Sequence, residues 1–217
     1  MIRPRSHRGV VWAWVLATAA TWNLRASDDA PWTVAAKDGE TVVYERPRSG
    51  SALQEFKGVG PIEAEPLVVK RVLDDVTEYP RFMPYVVEAR VLSRDANSRV
   101  TYQRLSPPLV GNRDYTIRVD YETRTTGGLL SFLNRWHVAN ELGPAEKRDV
   151  VRVKVTEGSW LLEPSGPGRT LATYRIFSDC GGSLPTGLAN RASKSAIPRL
   201  FAAVRKQARL PKYFAQE

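Results

Sequence analysis

Histidine and cysteine are nearly missing from this chain of 217 residues, which carries two histidines, His7 and His137, and one cysteine, Cys180. A lone cysteine excludes an internal disulfide. Since His7 falls in the first residues of the chain, His137 stands alone, which excludes a His-pair metal site and leaves a Ser-His-Asp arrangement without a spare base. Gly181-Gly182 lacks the lysine that a phosphate-binding loop places after its glycines. The apolar run Val10 to Thr21 falls short of the ~20 residues that cross a bilayer comfortably. No metal, no cofactor and no catalytic site is therefore expected.

What the chain does have is an ordinary apolar content of 42% and aromatics spread along its length, enough for one domain with a real core. Arg3, Arg5 and Arg8 precede the run Val10 to Thr21, so residues 1–26 read as an export signal cut after Ala20 or, preferably, Ala26, ahead of the acidic, Pro-containing Ser27 to Pro31. An uncleaved anchor is the alternative. The domain is then 27–217, expected in the periplasm or secreted, and as a monomer. Losing Arg3, Arg5, Arg8 and Arg25 takes Lys+Arg from 32 to 28 against 23 Asp+Glu, so the net charge falls from +9 to +5. That mild excess favours transient contact with an anionic membrane. It does not argue for nucleic acid, whose readers concentrate their basic residues in a stripe or module. Arg199, Arg205, Lys206, Arg209 and Lys212 read as the solvated face of a final helix.

Periodicity supplies the elements. Strands are expected over Thr41 to Arg46 and Ala52 to Ile62, with Gly58 and Gly60 marking a bulge or a close backbone approach, and a short helix over Pro66 to Asp74. After the aromatic connector Tyr79 to Tyr85, further strands are expected over Val86 to Ser93, Arg99 to Ser106, Arg113 to Thr125 and Leu130 to Leu142. In Arg113 to Glu122, Tyr115, Ile117, Val119 and Tyr121 alternate with Asp114, Thr116, Arg118 and Asp120, which predicts one apolar face and one wet face carrying Asp114, Asp120 and Glu122. Asp74 and Asp75 read as surface residues ending a helix, and His137 as a strand or loop residue with a local hydrogen bond. Val151, Val153 and Val155 alternate in the same way as the central strand. A half-wet sheet of this kind is antiparallel, and strands followed by a last helix make the class α+β.

The stretch Gly158 to Arg209 organises the rest. Gly158 to Pro164 and Thr170 to Asp179 form a hairpin about the turn Ser165 to Arg169, and a long helix follows Gly181-Gly182, with Ser183 as its cap and Pro185 in its first turn. Leu188, Ala192 and Ser195 lie on one narrow face. Ile197, Leu200, Phe201, Val204 and Ala208 form a second stripe past Pro198, nearly opposite the first. Two stripes predict a two-part helix, with a slim half leaning over a cavity and a bulky half pinned to the sheet. A bent core helix with no cavity beneath it satisfies the same pattern.

The chain resembles the START-domain lipid-binding family, in particular exported bacterial single-domain members of the helix-grip superfamily. The resemblance is carried by Lys37 to Gly60, Tyr79 to Leu92, Asn112 to Val119, Gly158 to Pro164 and Gly181 to Asn190. It departs at Cys180 and Gly187, where many relatives have proline and tryptophan. The resemblance implies a curved antiparallel sheet wrapped around a long C-terminal helix, enclosing an apolar tunnel for a lipid or other hydrophobic small molecule. The expected lining is Tyr115, Ile117 and Val119 from the central strand, Trp160 and Leu162 from the hairpin, Tyr174 and Ile176 opposite, and Leu188, Ala192 and Ser195 from the helix. Arg113 is a candidate partner for a head group. The other reading within the superfamily is an aromatase/cyclase-like enzyme, which requires residues such as Arg113 and Tyr174 to converge with a carboxylate in the tunnel.

Overall fold

Runs of Val, Ile, Thr and Tyr at alternate positions take up most of the chain between residues 33 and 179, and they form strands throughout that region. The structure is a computed structural model describing residues 30–108, 110–182 and 184–214. The export-signal stretch and the cap Ser183 lie outside the described residues. The strands are β1 (Thr33–Asp38), β2 (Thr41–Pro47), β3 (Gln54–Ile62), β4 (Val86–Arg94), β5 (Ser98–Leu105), β6 (Arg113–Thr126), β7 (Leu129–Val138), β8 (Val151–Arg152), β9 (Val155–Pro164) and β10 (Thr170–Asp179). The helices are α1 (Pro66–Asp74), α2 (Tyr79–Phe82) and α3 (Thr186–Gln207).

The strands form one curved sheet in the order β1-β2-β3-β10-β9-β7-β6-β5-β4, with every pair along that path antiparallel. Only β8 lies off it, pairing parallel to the start of β6. This is the expected α+β helix-grip architecture. Helices α1 and α3 cover one face. In α1, Val68, Val69, Val72 and Leu73 turn inward. They meet Phe132, Leu162, Ala172, Phe201 and Val204 in a solid core. Gly58 is a point of close approach: a Cβ there would lie 2.5 Å from Ile197 Cγ2 and 2.9 Å from Phe201 Cε2, so only glycine lets α3 settle onto β3.

Four local expectations are corrected. Strand β1 was not anticipated and adds an edge to β2. The helix begins at Thr186, with Pro185 as the residue before it rather than within its first turn. The Val151–Val155 alternation does not make one strand: the buried Val153 still donates its N–H to Asp114 O at 2.9 Å, but its carbonyl accepts from Asn140 Nδ2 at 2.8 Å, and pairing resumes on β10 only from Val155. Nor does β6 have a wet face at its start: Asp114 and Thr116 are buried beneath residues 139–153.

Candidate ligand-binding cavity

Away from the solid core, the sheet and α3 part around a cavity of about 300 Å³, at the small end of the ~300–1,000 Å³ common for ligand sites. Its position follows from pleating. On β6 every second residue faces it, so Tyr115, Ile117 and Val119 line one wall. The opposite wall is aromatic. Asn134, Trp160 and Tyr174 are cross-strand neighbours on β7, β9 and β10, and Trp136 lies one pleat away from Asn134. Tyr174 stacks against Trp136 with centroids 5.6 Å apart and tilts against Trp160 at 4.8 Å, which in turn meets Phe201 of α3 at 5.3 Å. The flat seat of Trp136 depends on Gly158, where a Cβ would stand 2.4 Å from Trp136 Cζ2.

Helix α3 roofs the cavity with Ser193, Ala196, Ile197 and Leu200. Near the roof, Tyr85 adopts φ 65°, an unfavourable region for a tyrosine, and its hydroxyl accepts a hydrogen bond from Arg199 of α3. Burial raises the hydroxyl pKa of Tyr115 and Tyr174 far above the ordinary tyrosine value, so both are neutral donors. Tyr115 donates to Gln103 Oε1 at 3.2 Å. Cys180, at the rim, is likewise raised, chiefly by burial, which leaves it a thiol rather than a nucleophilic thiolate.

Of the residues expected to line the cavity, Tyr115, Ile117, Val119, Trp160, Tyr174 and Ile176 are brought together there. Five lie elsewhere. Leu162 is fully buried in the solid core under α1, two residues beyond Trp160 on the same face of β9. Leu188 is 49% exposed, and Ala192 and Ser195 are exposed as well. The helix turns a different face to the sheet: Ala189, Ser193, Ile197, Leu200 and Val204 form one inward stripe at spacings of three and four, and α3 continues through Pro198. The polar Ser193 in that stripe hid it from an apolar count. Arg113 is buried, but its Nε donates to Cys180 O at 3.1 Å and its Nη1 to Gly111 O at 2.5 Å, so it clasps the β10–α3 connection to the start of β6. Arg113 and Tyr174, the pair named as one instance of the convergence a cyclase needs, do not meet in the cavity: Tyr174 lines it and Arg113 does not.

Sequence reasoning missed the polar side of the cavity. Arg99, Thr101 and Gln103 alternate along β5 and face inward, while the apolar set Val100 and Tyr102 faces the other way. A hydrophobic count chooses the wrong face here because both faces of β5 are covered. Asp74, read as a surface residue, anchors Arg99: Arg99 Nη1 donates to Asp74 Oδ1 at 3.1 Å and Nη2 to Leu73 O at 2.7 Å. Arg99 is the single charged residue lining the cavity among the described residues. His137 is exposed on the far face of β7.

Comparison with known proteins follows the same outline. The profile of the polyketide cyclase / dehydrase and lipid transport family matches residues 62–205. An uncharacterised protein of Pseudomonas aeruginosa is 29% identical over 187 residues, covering 84% of this chain and 89% of that protein. The phosphatidylcholine transfer protein of Rattus norvegicus is 25% identical over 171 residues, covering 78% of this chain and 79% of that one. Among solved structures, the STAR-related lipid transfer protein of Xanthomonas axonopodis superposes with a TM-score of 0.75 at 27% identity, covering 82% of this chain and 99% of that fragment. Human STARD10, at 20% identity and a TM-score of 0.71, shares the fold.

Proposed function

The chain belongs to the polyketide cyclase / dehydrase and lipid transport family, as a START-type helix-grip member, and from that premise we propose that it binds a lipid or similar hydrophobic small molecule without transforming it. The observation that carries this reading is the cavity of about 300 Å³ under α3, walled by Ile117, Val119, Trp136, Trp160 and Tyr174. An apolar hollow with a few polar groups is what a hydrophobic guest requires. Its described lining contains no Asp, Glu, Lys or His to serve as a general base. The lipid transfer proteins of Xanthomonas axonopodis and Rattus norvegicus, similar over most of their length, point to the same ligand class.

The same proposal has the protein work in the cell envelope or outside the cell, a reading supported by the export-like sequence at its N-terminus, and the net positive charge suits brief docking on anionic membrane during loading or release. Native mass spectrometry of protein purified from its own host, before and after solvent extraction, tests the reading. Expected is an extractable bound mass of lipid size. A homogeneous ligand-free protein that takes up no lipid on incubation with membrane extract would overturn it.

A further inference from the structure

The outer face of β2, β3 and β10 gathers positive charge around one indole. Phe56 and Gly58 of β3 and Tyr174 and Ile176 of β10 face α3 and the cavity. The residues between them, Lys57 and Arg175, therefore point the other way, and they are register partners. Arg46 lies one pleat along β2 from Tyr44, which pairs with Lys57 on the other side. Trp32, the residue before β1, reaches over all three cations. Its ring centroid is 4.6 Å from the Arg46 guanidinium, 4.6 Å from Lys57 Nζ and 5.5 Å from the Arg175 guanidinium. One carboxylate serves the group: Glu55, 6% exposed, accepts from Arg46 Nε at 2.6 Å and from Arg175 Nη2 at 2.9 Å. Among the described residues Lys57 Nζ meets the rings of Trp32 and Tyr44 and no acceptor. Burial, and then the charges of Arg175 and Arg46, lower its pKa, as expected of a cation held among cations.

Three cations and one carboxylate leave two positive charges to balance beside an aromatic ring. The chain carries two more carboxylates close by. Asp29 and Asp28, which lie outside the described residues, precede Trp32 by three and four positions, at most about 11 Å and 14 Å of extended chain. Either cut expected of the export signal, after Ala20 or after Ala26, keeps both on the mature chain. We propose that the acidic stretch Ser27–Asp29 docks on this patch, with Asp28 and Asp29 as counter-ions to Lys57 and the two arginines. Tethered so near, the pair acts at an effective concentration on the order of millimolar, which favours it over any untethered anion. The contact ties the start of β1, an edge of the sheet, to β3 and β10 beyond its neighbour β2. It also withholds a basic, aromatic surface from anionic lipid.

Zero-length carbodiimide coupling of the protein purified from its own host, mapped by mass spectrometry, tests the contact. An amide joining Lys57 to Asp28 or Asp29 is expected, beside a reference amide joining Lys212 to Asp75, whose Nζ and Oδ2 lie 2.9 Å apart. The reference amide without the Lys57 amide would overturn the proposal. Cosedimentation with vesicles of equal parts phosphatidylglycerol and phosphatidylcholine reads the covering of the patch. Asp28→Asn/Asp29→Asn is expected to bind them about tenfold more tightly than wild type, as exposing basic residues to an anionic surface allows, and adding Lys57→Met should remove most of that gain. Glu141→Gln/Glu146→Gln makes the same charge change at exposed residues elsewhere, and its gain should stay within about twofold where salt screens distant charges. Equal gains from the two pairs would show net charge alone at work and sink the docking. Wild type binding the vesicles as tightly as Asp28→Asn/Asp29→Asn would make the lipid surface, not the chain's own acidic stretch, the occupant.

Discussion

Two of the buried arginines, Arg152 and Arg99, are held on opposite sides of the same sheet. Outside, Arg152 Nε donates to Asp114 Oδ1 at 2.7 Å, and its Nη2 reaches Asp114 Oδ2 at 3.2 Å and Pro144 O at 3.0 Å. Tyr102 adds its hydroxyl to Asp114 Oδ2 at 3.0 Å. Inside, Arg99 is anchored to α1, while its Nε, Thr101 Oγ1 and Asn134 Oδ1 have no hydrogen-bond partner. The lesson is that burial alone does not separate structure from function. Hydrogen bonds hold residues 139–153 against the outside of the sheet although Thr116 Oγ1 beneath them has no partner, whereas Arg99, Thr101 and Asn134 line the hollow on the inside.

The comparison breaks most visibly at Asp114. Asp114→Ala strands the Arg152 charge in the interior and should destabilise by about 3–5 kcal/mol, lowering the melting temperature by on the order of 10 °C at ~2–4 °C per kcal/mol for a domain of this size. A melting temperature near wild type would mean that Asp114 does not hold Arg152 in place. Arg99→Met removes hydrogen bonds to Leu73 O and Asp74 but frees Asp74 to rest on Lys70. Its expected cost in urea titrations is smaller, about 1–3 kcal/mol. If it equals or exceeds Asp114→Ala, the inner cluster is as structural as the outer.

Alkali probes the outer network through Tyr102. Burial first, and then its bond to Asp114, push the Tyr102 hydroxyl up to about 12 from an ordinary value of 10. The folded protein keeps this proton where the unfolded chain has released it. The contribution to stability is therefore intact below pH 10 and disappears as the pH rises toward 12. Urea midpoints of Tyr102→Phe should fall less steeply across that window than those of wild type, and a parallel fall would argue against the Asp114 bond. The smallest effect is expected from Thr101→Val. With no partner to lose, ligand-free stability should stay within about 0.5 kcal/mol of wild type or rise slightly. A clear loss would reveal a structural hydrogen bond at Thr101.

Much of this molecule was legible from periodicity. The alternation Tyr115, Ile117, Val119 identified a cavity wall, and the stripe Ile197, Phe201, Val204 and Ala208 identified the pinned half of α3. The hairpin partners Trp160 and Tyr174 were likewise legible, since pairing across a tight turn is local. The failures occurred where a second covering layer changed the meaning of the pattern. Asp114 read as wet because the alternation could not show residues 139–153 folding over it. Arg99 and Thr101 went unnoticed because polar residues on a half-apolar strand signal solvent unless another layer excludes it. Leu188 read as roofing because an apolar residue at helical spacing scores the same on an exposed face as on a buried one.

By itself, then, the sequence determined the strands, the long last helix, the α+β class and the family, because each depends on residues close together in the chain or on motifs in order. Only the tertiary structure decided which face of β5 and of α3 turns inward, that Arg113 is a clasp while Arg99 reaches the hollow, and that three polar atoms there go unpaired. Period-two and period-three-and-a-half patterns divide an element into faces without labelling them. The label comes from what packs against each face, and those partners lie tens of residues away.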